Sequence, residues 1–142
     1  MTIRGRLIMW GVVGLVVAIL ATDWLLATAR LGRVRIDAAL DSPRVVADGK
    51  SAVTMTVRVT EEGRPRAGTL LQLWISEGGG LLSPTWVYTD QAGTALVTYQ
   101  PNPASKYDLV TETLIRVADT GVGRLIEVRK EQDVAIPLEA PR

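Results

Sequence analysis

The sequence predicts an all-β domain, an antiparallel β-sandwich, preceded by one N-terminal transmembrane α-helix. Three observations predict this architecture. An uncharged apolar run lies near the start of the chain, short stretches of alternating apolar residues follow from residue 34, and turn-forming residues separate these stretches about every ten residues. The length of 142 residues leaves room for about one domain and one membrane segment.

The composition excludes the commonest enzyme chemistries. The sequence has no histidine, which excludes Ser-His-Asp and Cys-His catalysis and imidazole metal sites. It has no cysteine, which excludes disulfides, thiolate nucleophiles and zinc or iron–sulfur ligation by thiolates. The net charge of +1 gives no bulk attraction to nucleic acid. We therefore expect a protein that is not an enzyme, holds no cofactor or metal, and does not bind nucleic acid.

The apolar run predicts a membrane span over residues 7–29, after a short cytoplasmic N-terminus of residues 1–6. These 23 residues form a helix of about 34 Å, which crosses a bilayer core of about 30 Å with some tilt. Trp10 and Trp24 are expected at the two membrane interfaces, as an aromatic belt. Asp23 would then lie near the outer interface, where its carboxylate reaches headgroup water.

A cleaved signal peptide is the alternative to a retained anchor. Arg4 and Arg6 form a basic start, and the run ATA at residues 27–29 resembles a cleavage site. The length of the apolar stretch and its interruption at Asp23 favour a retained signal-anchor helix. Because arginines flank both ends, charge counting does not fix the orientation. The exported character of the following domain predicts an inner-membrane protein with this domain on the periplasmic or extracellular side.

Small residues lie along one face of the predicted helix and favour close packing against another helix. The predicted helix-packing residues are Gly11, Gly14, Ala18 and Thr22. Gly and Ala are also common in membrane helices that have no such partner.

Short strands are predicted throughout residues 34–131, which we assign to the sandwich. The clearest runs from residue 53, where Val53, Met55, Val57 and Val59 alternate with polar residues. Other strands are predicted at residues 34–40, 45–47, 69–76, 86–89, 94–99, 109–118 and 124–129. The run DQAG at residues 90–93 predicts a hairpin turn. The C-terminal tail, residues 132–142, is expected to complete a sheet edge, to add a strand to a partner, or to fray.

The turn motifs also carry a resemblance. In order, they are VVADG at residues 45–49, GRP at 63–65, GGGLLS at 78–83 and TDQAGTA at 89–95. In this order and spacing, residues 45–99 resemble a bacterial Ig-like domain of the invasin/intimin type, although transthyretin-like sandwiches share the last turn. The resemblance implies an Ig-like fold in an extracytoplasmic setting and no catalytic residues. Adhesins of this type string several copies together, whereas this chain has a single copy on a membrane helix.

A partner patch is predicted on the strand at residues 69–76 and its neighbour. If Leu71 and Leu73 face the core, the opposite side of the strand carries an exposed tryptophan. The reversed register, with Trp74 as a core tryptophan, is the alternative. The predicted patch consists of Leu70, Trp74, Trp86 and Tyr88. By contrast, Glu61 and Glu62 are interpreted as a solvated turn, and Asp48 and Asp90 as turn-stabilising residues.

The tether between helix and sandwich predicts where the domain sits. A linker over residues 30–33 reaches at most about 14 Å, which holds the domain against the membrane surface. Arg30, Arg33 and Arg35 are then expected at headgroup level, facing lipid phosphates or a neighbouring membrane protein. We expect an accessory subunit that packs on the outer face of a larger membrane complex, with integral membrane subunits and the bilayer as partners. A cell-envelope adhesion or carbohydrate-binding module is the alternative.

Overall fold

The computed structural model describes residues 3–105 and 110–141, and it begins with a single long helix. Helix α1 covers Ile3–Leu31 and therefore extends beyond both predicted ends. By length and composition, Gly5–Leu31 is long and apolar enough to cross a membrane. Most of its side chains are not covered by the rest of the chain, and a helix that is apolar all round needs an apolar surrounding such as a membrane. Residues 1–2 of the predicted cytoplasmic segment lie outside the described residues.

The predicted four-residue linker is shorter than expected, because Arg30 and Leu31 still belong to the helix. Only Gly32 and Arg33 join α1 to the first strand, and the Arg33 amide donates to the Arg30 carbonyl oxygen at 2.9 Å. Leu31 packs against the core of the sandwich. The helix thus ends in contact with the domain.

The strands form two sheets that face each other. One sheet has the order β1-β3-β8-β6 with β4 paired to β3, and the other has the order β2-β10-β9-β5-β7. All paired strands are antiparallel except β2 and β10, which are parallel. Their bounds are β1 Val34–Leu40, β2 Val45–Val46, β3 Val53–Glu61, β4 Arg64–Pro65, β5 Leu70–Glu77, β6 Gly80–Ser83, β7 Trp86–Tyr88, β8 Thr94–Pro101, β9 Glu112–Asp119 and β10 Lys130–Glu139.

The core lies between the sheets and follows the period of two that the sequence shows. On β3, Val53, Met55, Val57 and Val59 are all buried, while the residues between them are not. On β5, Leu71 and Leu73 are buried and Trp74 is only half-buried on the outer face. The core-facing register predicted for β5 is therefore confirmed, and Trp74 is not a core tryptophan.

The C-terminal boundary of the sandwich differs from the predicted one. The tail forms most of β10, which pairs with β9 on one side and β2 on the other. Ile136 is fully buried, because the alternation of the tail places it on the core face. The sandwich consequently extends to Glu139 rather than to residue 131, and the frayed tail is ruled out over this strand. Residue 142 and the first residue of the predicted strand 109–118 lie outside the described residues.

Two local predictions were wrong. Residues 124–129, predicted as a strand, form part of an irregular loop between β9 and β10 that we call the junction loop, residues 120–129. The DQAG run does form a turn, with the Gly93 amide donating to the Asp90 carbonyl oxygen at 3.0 Å. It is not a hairpin turn, because β7 and β8 belong to different sheets. A turn motif fixes the local backbone but not the strand that pairs beyond it.

Candidate functional site

The helix and the sandwich are joined by an arginine–carboxylate pair at the end of α1. Arg30 Nε lies 2.7 Å from Glu61 Oε1, and Arg30 Nη2 lies 2.8 Å from Glu61 Oε2. This two-point contact matches the planar fork of the guanidinium to a carboxylate. Arg30 Nη1 also donates to the Val122 carbonyl oxygen at 3.2 Å. One side chain of the helix therefore holds both β3 and the junction loop.

The pair continues into a buried second pair. Arg66 Nη1 lies 3.0 Å from Glu61 Oε2, and Arg66 Nε lies 3.3 Å from Asp119 Oδ2. Asp119 is fully buried, and its Oδ1 accepts hydrogen bonds of 2.8 Å from the Thr69 hydroxyl and from the Gly121 amide. The charges thus alternate from Arg30 through Glu61 and Arg66 to Asp119. We call these four residues the junction network.

The network keeps Glu61 ionised. The Arg30 hydrogen bonds, together with the charges of Arg30 and Arg66, lower the pKa of Glu61 from 4.5 to about 2 against an opposing effect of burial. The interpretation of Glu61 and Glu62 as one solvated turn is therefore wrong for Glu61. It holds for Glu62, whose side chain is exposed. The backbone of Glu62 has a φ of 52°, which is typical of a tight turn.

A second contact lies deeper along the helix. Asp23 Oδ2 accepts hydrogen bonds of 2.9 Å from the backbone amides of Leu125 and Ile126. Asp23, Ala27 and Arg30 follow the i, i+4, i+7 spacing of one helix face, and Ala27 is buried. The junction loop therefore lies along the last two turns of α1, where two of its backbone amides donate to this carboxylate rather than to a neighbouring strand.

The predicted interface residues divide into two groups. Arg30 points into the junction network, whereas Arg35 is exposed on β1 and Arg33 makes an exposed 3.0 Å ion pair with Glu62. Trp10 and Trp24 are both exposed on α1. The headgroup-level placement of these side chains stays a prediction, and for Arg30 the protein itself supplies the carboxylate.

The small-residue stripe leaves open space beside the helix. A Cβ added at Gly11 or Gly14 would meet no atom within 4 Å apart from the neighbouring backbone of the helix itself. The Thr22 hydroxyl donates to the Ala18 carbonyl oxygen at 2.8 Å, so its polar group is satisfied within the helix. The N-terminal part of the stripe, Gly11 and Gly14, therefore has open space beside it in the described part of the chain.

The four residues of the predicted patch lie together on the outer face of the second sheet. Leu70 pairs with Tyr88 and Gln72 with Trp86 across β5 and β7, and Trp74 lies further along β5. Trp86 is 49% exposed and Tyr88 is 66% exposed, while Leu70 and Trp74 are half-buried. We call this set the aromatic patch. Beside it, Arg129 Nη1 donates to Gln72 Oε1 at 2.9 Å, and the same guanidinium is paired with Glu127, which adds an ion pair to this surface.

The aspartates of the turns stabilise their own backbones, as predicted. Asp48 Oδ1 accepts from the amides of Lys50 and Ser51, and these bonds with that of the Ser51 hydroxyl lower the pKa of Asp48 to about 2. Asp90 Oδ1 accepts from the amides of Ala92 and Thr94 at 2.9 Å. Across residues 3–105 and 110–141, no three acidic side chains lie close enough together to hold a metal ion.

Sequence reasoning missed Arg66, Thr69 and Asp119. Their spacing along the chain carries no motif, because they come together only through the pairing of β5 with β9. The spacing of Asp23, Ala27 and Arg30 was a usable signal, since two charged residues and one small residue share a face at the end of an apolar helix.

Comparison with known proteins adds the fold. No protein-family model and no curated protein matches this sequence. The D00-D0 domain of intimin is 21% identical with a TM-score of 0.53, over 70% of this chain and 45% of that one. A 282-residue C-terminal intimin fragment, solved with the intimin-binding domain of the translocated intimin receptor, is 22% identical with a TM-score of 0.53, over 73% of this chain and 32% of that one. The D0-D1 domain of intimin is 21% identical with a TM-score of 0.52, over 75% of this chain and 49% of that one.

The sandwich is Ig-like. The predicted all-β class and the resemblance to intimin-type domains are both confirmed. This chain spans between a third and a half of each intimin fragment, and at these identities the likeness concerns the fold alone.

Proposed function

We propose that this protein is a non-catalytic, single-pass membrane accessory subunit whose Ig-like domain packs on the outer face of a larger membrane protein complex. The observation that carries the proposal is the junction between helix and sandwich. A two-residue connection, the Arg30–Glu61 pair and the Asp23 contact hold the domain directly on the end of the helix. A domain held in this way stays beside the membrane and cannot project toward a distant surface.

The proposal places the N-terminus in the cytoplasm and the sandwich on the periplasmic or extracellular side of the inner membrane. Gly11 and Gly14 would let a helix of another subunit approach closely. The aromatic patch would contact an extramembrane surface of the same complex, since exposed Trp and Tyr residues are typical anchors of protein interfaces. An intimin fragment of the same fold was solved with a protein partner, which supports a protein rather than a small-molecule ligand.

Purification of the tagged full chain in mild detergent tests the proposal. We expect membrane proteins to co-purify in fixed stoichiometry, to be lost with Gly14→Leu, and to be reduced with Trp86→Ala. Leu96→Ala is the matched control, because Leu96 is 62% exposed on the other sheet, outside the aromatic patch. Recovery of a monomer without partners would contradict the proposed role.

The second candidate is a cell-envelope adhesion or carbohydrate-binding module. The exposed rings of Trp86 and Tyr88 favour it, because aromatic faces offer large, rigid contact area at low entropic cost. Glycan binding by the full chain in detergent, abolished by Trp86→Ala and unaffected by Leu96→Ala, would favour this candidate over the accessory subunit.

A further inference from the structure

The junction loop reaches back along the helix by about two turns from its C-terminal end. Asp23 precedes the last helical residue, Leu31, by eight positions, or about 12 Å along the axis. Because the amides of Leu125 and Ile126 bind Asp23, the loop lies alongside α1 at the level of Asp23, where the proposed membrane interface falls. Leu125 is 65% exposed there. An exposed leucine next to a membrane-spanning helix matches an apolar surrounding better than water.

A groove separates the junction loop from the helix. It comprises two neighbouring cavities of about 350 and 360 Å³ that share Asp23, Leu26 and Arg124 as lining residues. The cavity nearer the sandwich is also lined by Arg30 and Arg33. The cavity nearer the middle of the helix is lined instead by apolar and small side chains, namely Ala18, Ile19 and Thr22. The groove is therefore mainly apolar in its lower cavity, toward the middle of the helix, and charged in its upper cavity, toward the sandwich.

The charges of the groove favour an anion. Three arginines, Arg30, Arg33 and Arg124, line the upper cavity together with two carboxylates, Asp23 and Glu61. Both carboxylates are already engaged, Asp23 by two amides and Glu61 by Arg30 and Arg66. Arg124 is exposed at the rim, and beside it Arg33, whose Nη1 is paired with Glu62 at 3.0 Å, keeps more than half of its side chain exposed.

We propose that this groove binds one phospholipid with an anionic headgroup. Its phosphate would contact Arg124 and Arg33, and one acyl chain would lie on Ile19 and Leu26. The polarity of the groove runs in the same direction as that of a lipid in the outer leaflet, with the apolar half toward the middle of the helix. An extended protein segment would have to pair its backbone in this position, whereas a lipid brings no such groups. The partner helix proposed above would pack further along α1, at Gly11 and Gly14. This inference rests on the proposed membrane anchorage.

Native mass spectrometry tests it on the full chain extracted from phosphatidylethanolamine vesicles that contain phosphatidylglycerol. We expect one phosphatidylglycerol to remain bound, and Arg124→Gln to reduce its retention about fivefold, the effect of about 1 kcal/mol for one arginine near an anionic membrane surface. The matched control is Arg44→Gln, since Arg44 is exposed in the turn between β1 and β2, at the end of the sandwich away from the helix. Thermal unfolding of both variants checks that the fold is intact.

Competition with inorganic phosphate, added to the extracted protein, distinguishes a lipid-binding site from a site that binds any anion. The lipid should remain bound, because its acyl chain contributes to binding. Equal retention in Arg124→Gln and Arg44→Gln, or displacement of the lipid by phosphate, would overturn the proposal. Alkaline extraction of the membranes tests the anchorage separately: a chain that stays in the membrane but retains no lipid refutes the lipid site alone, and a released chain refutes both.

Discussion

At the helix end of the sandwich, charged side chains are brought inside the protein and paired, whereas on the outer face of the second sheet large aromatic side chains stay exposed. The junction network connects Arg30 to the fully buried Asp119 through Glu61 and Arg66. The aromatic patch leaves Trp86 and Tyr88 on the surface. The first arrangement fixes the position of the domain on its helix, and the second leaves contact area for another molecule. Substitutions in the two regions should therefore affect different properties.

The largest loss of stability is expected from Arg66→Met. Removal of the guanidinium leaves Asp119 buried without its countercharge, which costs about 3–5 kcal/mol. Urea unfolding of the full chain in detergent measures this change. Arg58→Met is the matched control, because Arg58 is exposed on β3 outside the junction network, and it should change the free energy of unfolding by less than about 0.5 kcal/mol. Similar values for the two variants would contradict a stabilising junction network.

A pH-dependent effect is expected from Glu61→Gln. The pKa of Glu61 falls from 4.5 to about 2 in the folded protein, so the pair stabilises the fold fully above pH 4.5 and loses this contribution as the pH falls toward about 2. The difference in unfolding free energy between the natural protein and Glu61→Gln should shrink across this range. The pKa of Asp48 is also lowered to about 2, at the acidic end of this pH range. Asp48 is present in both proteins, so its contribution cancels in the difference. A difference independent of pH would show that Glu61 acts through packing alone.

A local effect without a large loss of global stability is expected from Asp23→Ala. The amides of Leu125 and Ile126 lose their acceptor, so their hydrogen exchange should accelerate. The amide of Val117, inside the pairing of β5 with β9, serves as the internal reference and should be unchanged. Asp23→Asn, which keeps a carbonyl oxygen, should restore part of the protection. Unchanged exchange at Leu125 in Asp23→Ala would mean that the loop is held by other contacts.

The two regions also differed in how far the sequence predicted them. The aromatic patch followed from the period of two on β5, since Leu71 and Leu73 had to share one face and Trp74 the other. Only part of the junction was visible, because Arg66 and Asp119 are brought together by strand pairing that no local pattern encodes. For residues 132–142 the sequence left a sheet edge, an added strand on a partner and a frayed end open, and the junction loop was predicted as a strand. The tail alternates at Val134, Ile136 and Leu138, and its partner strand β9 pairs with it. The junction loop has the adjacent pair Leu125 and Ile126, whose amides donate to Asp23 and not to a strand.

The smallest effect on stability, and the clearest separation of the two regions, is expected from Trp86→Ala. Its side chain is half exposed at the sheet edge, so truncation removes only part of a buried apolar surface and should lower the free energy of unfolding far less than Arg66→Met does. Co-purification of partners should nevertheless decrease, because an exposed tryptophan contributes to association rather than to folding. Arg66→Met would show the reverse order, with a large loss of stability and an unaltered patch. If Trp86→Ala unfolds the protein as readily as Arg66→Met does, the patch is part of the structural framework and the proposed partner contact must lie elsewhere.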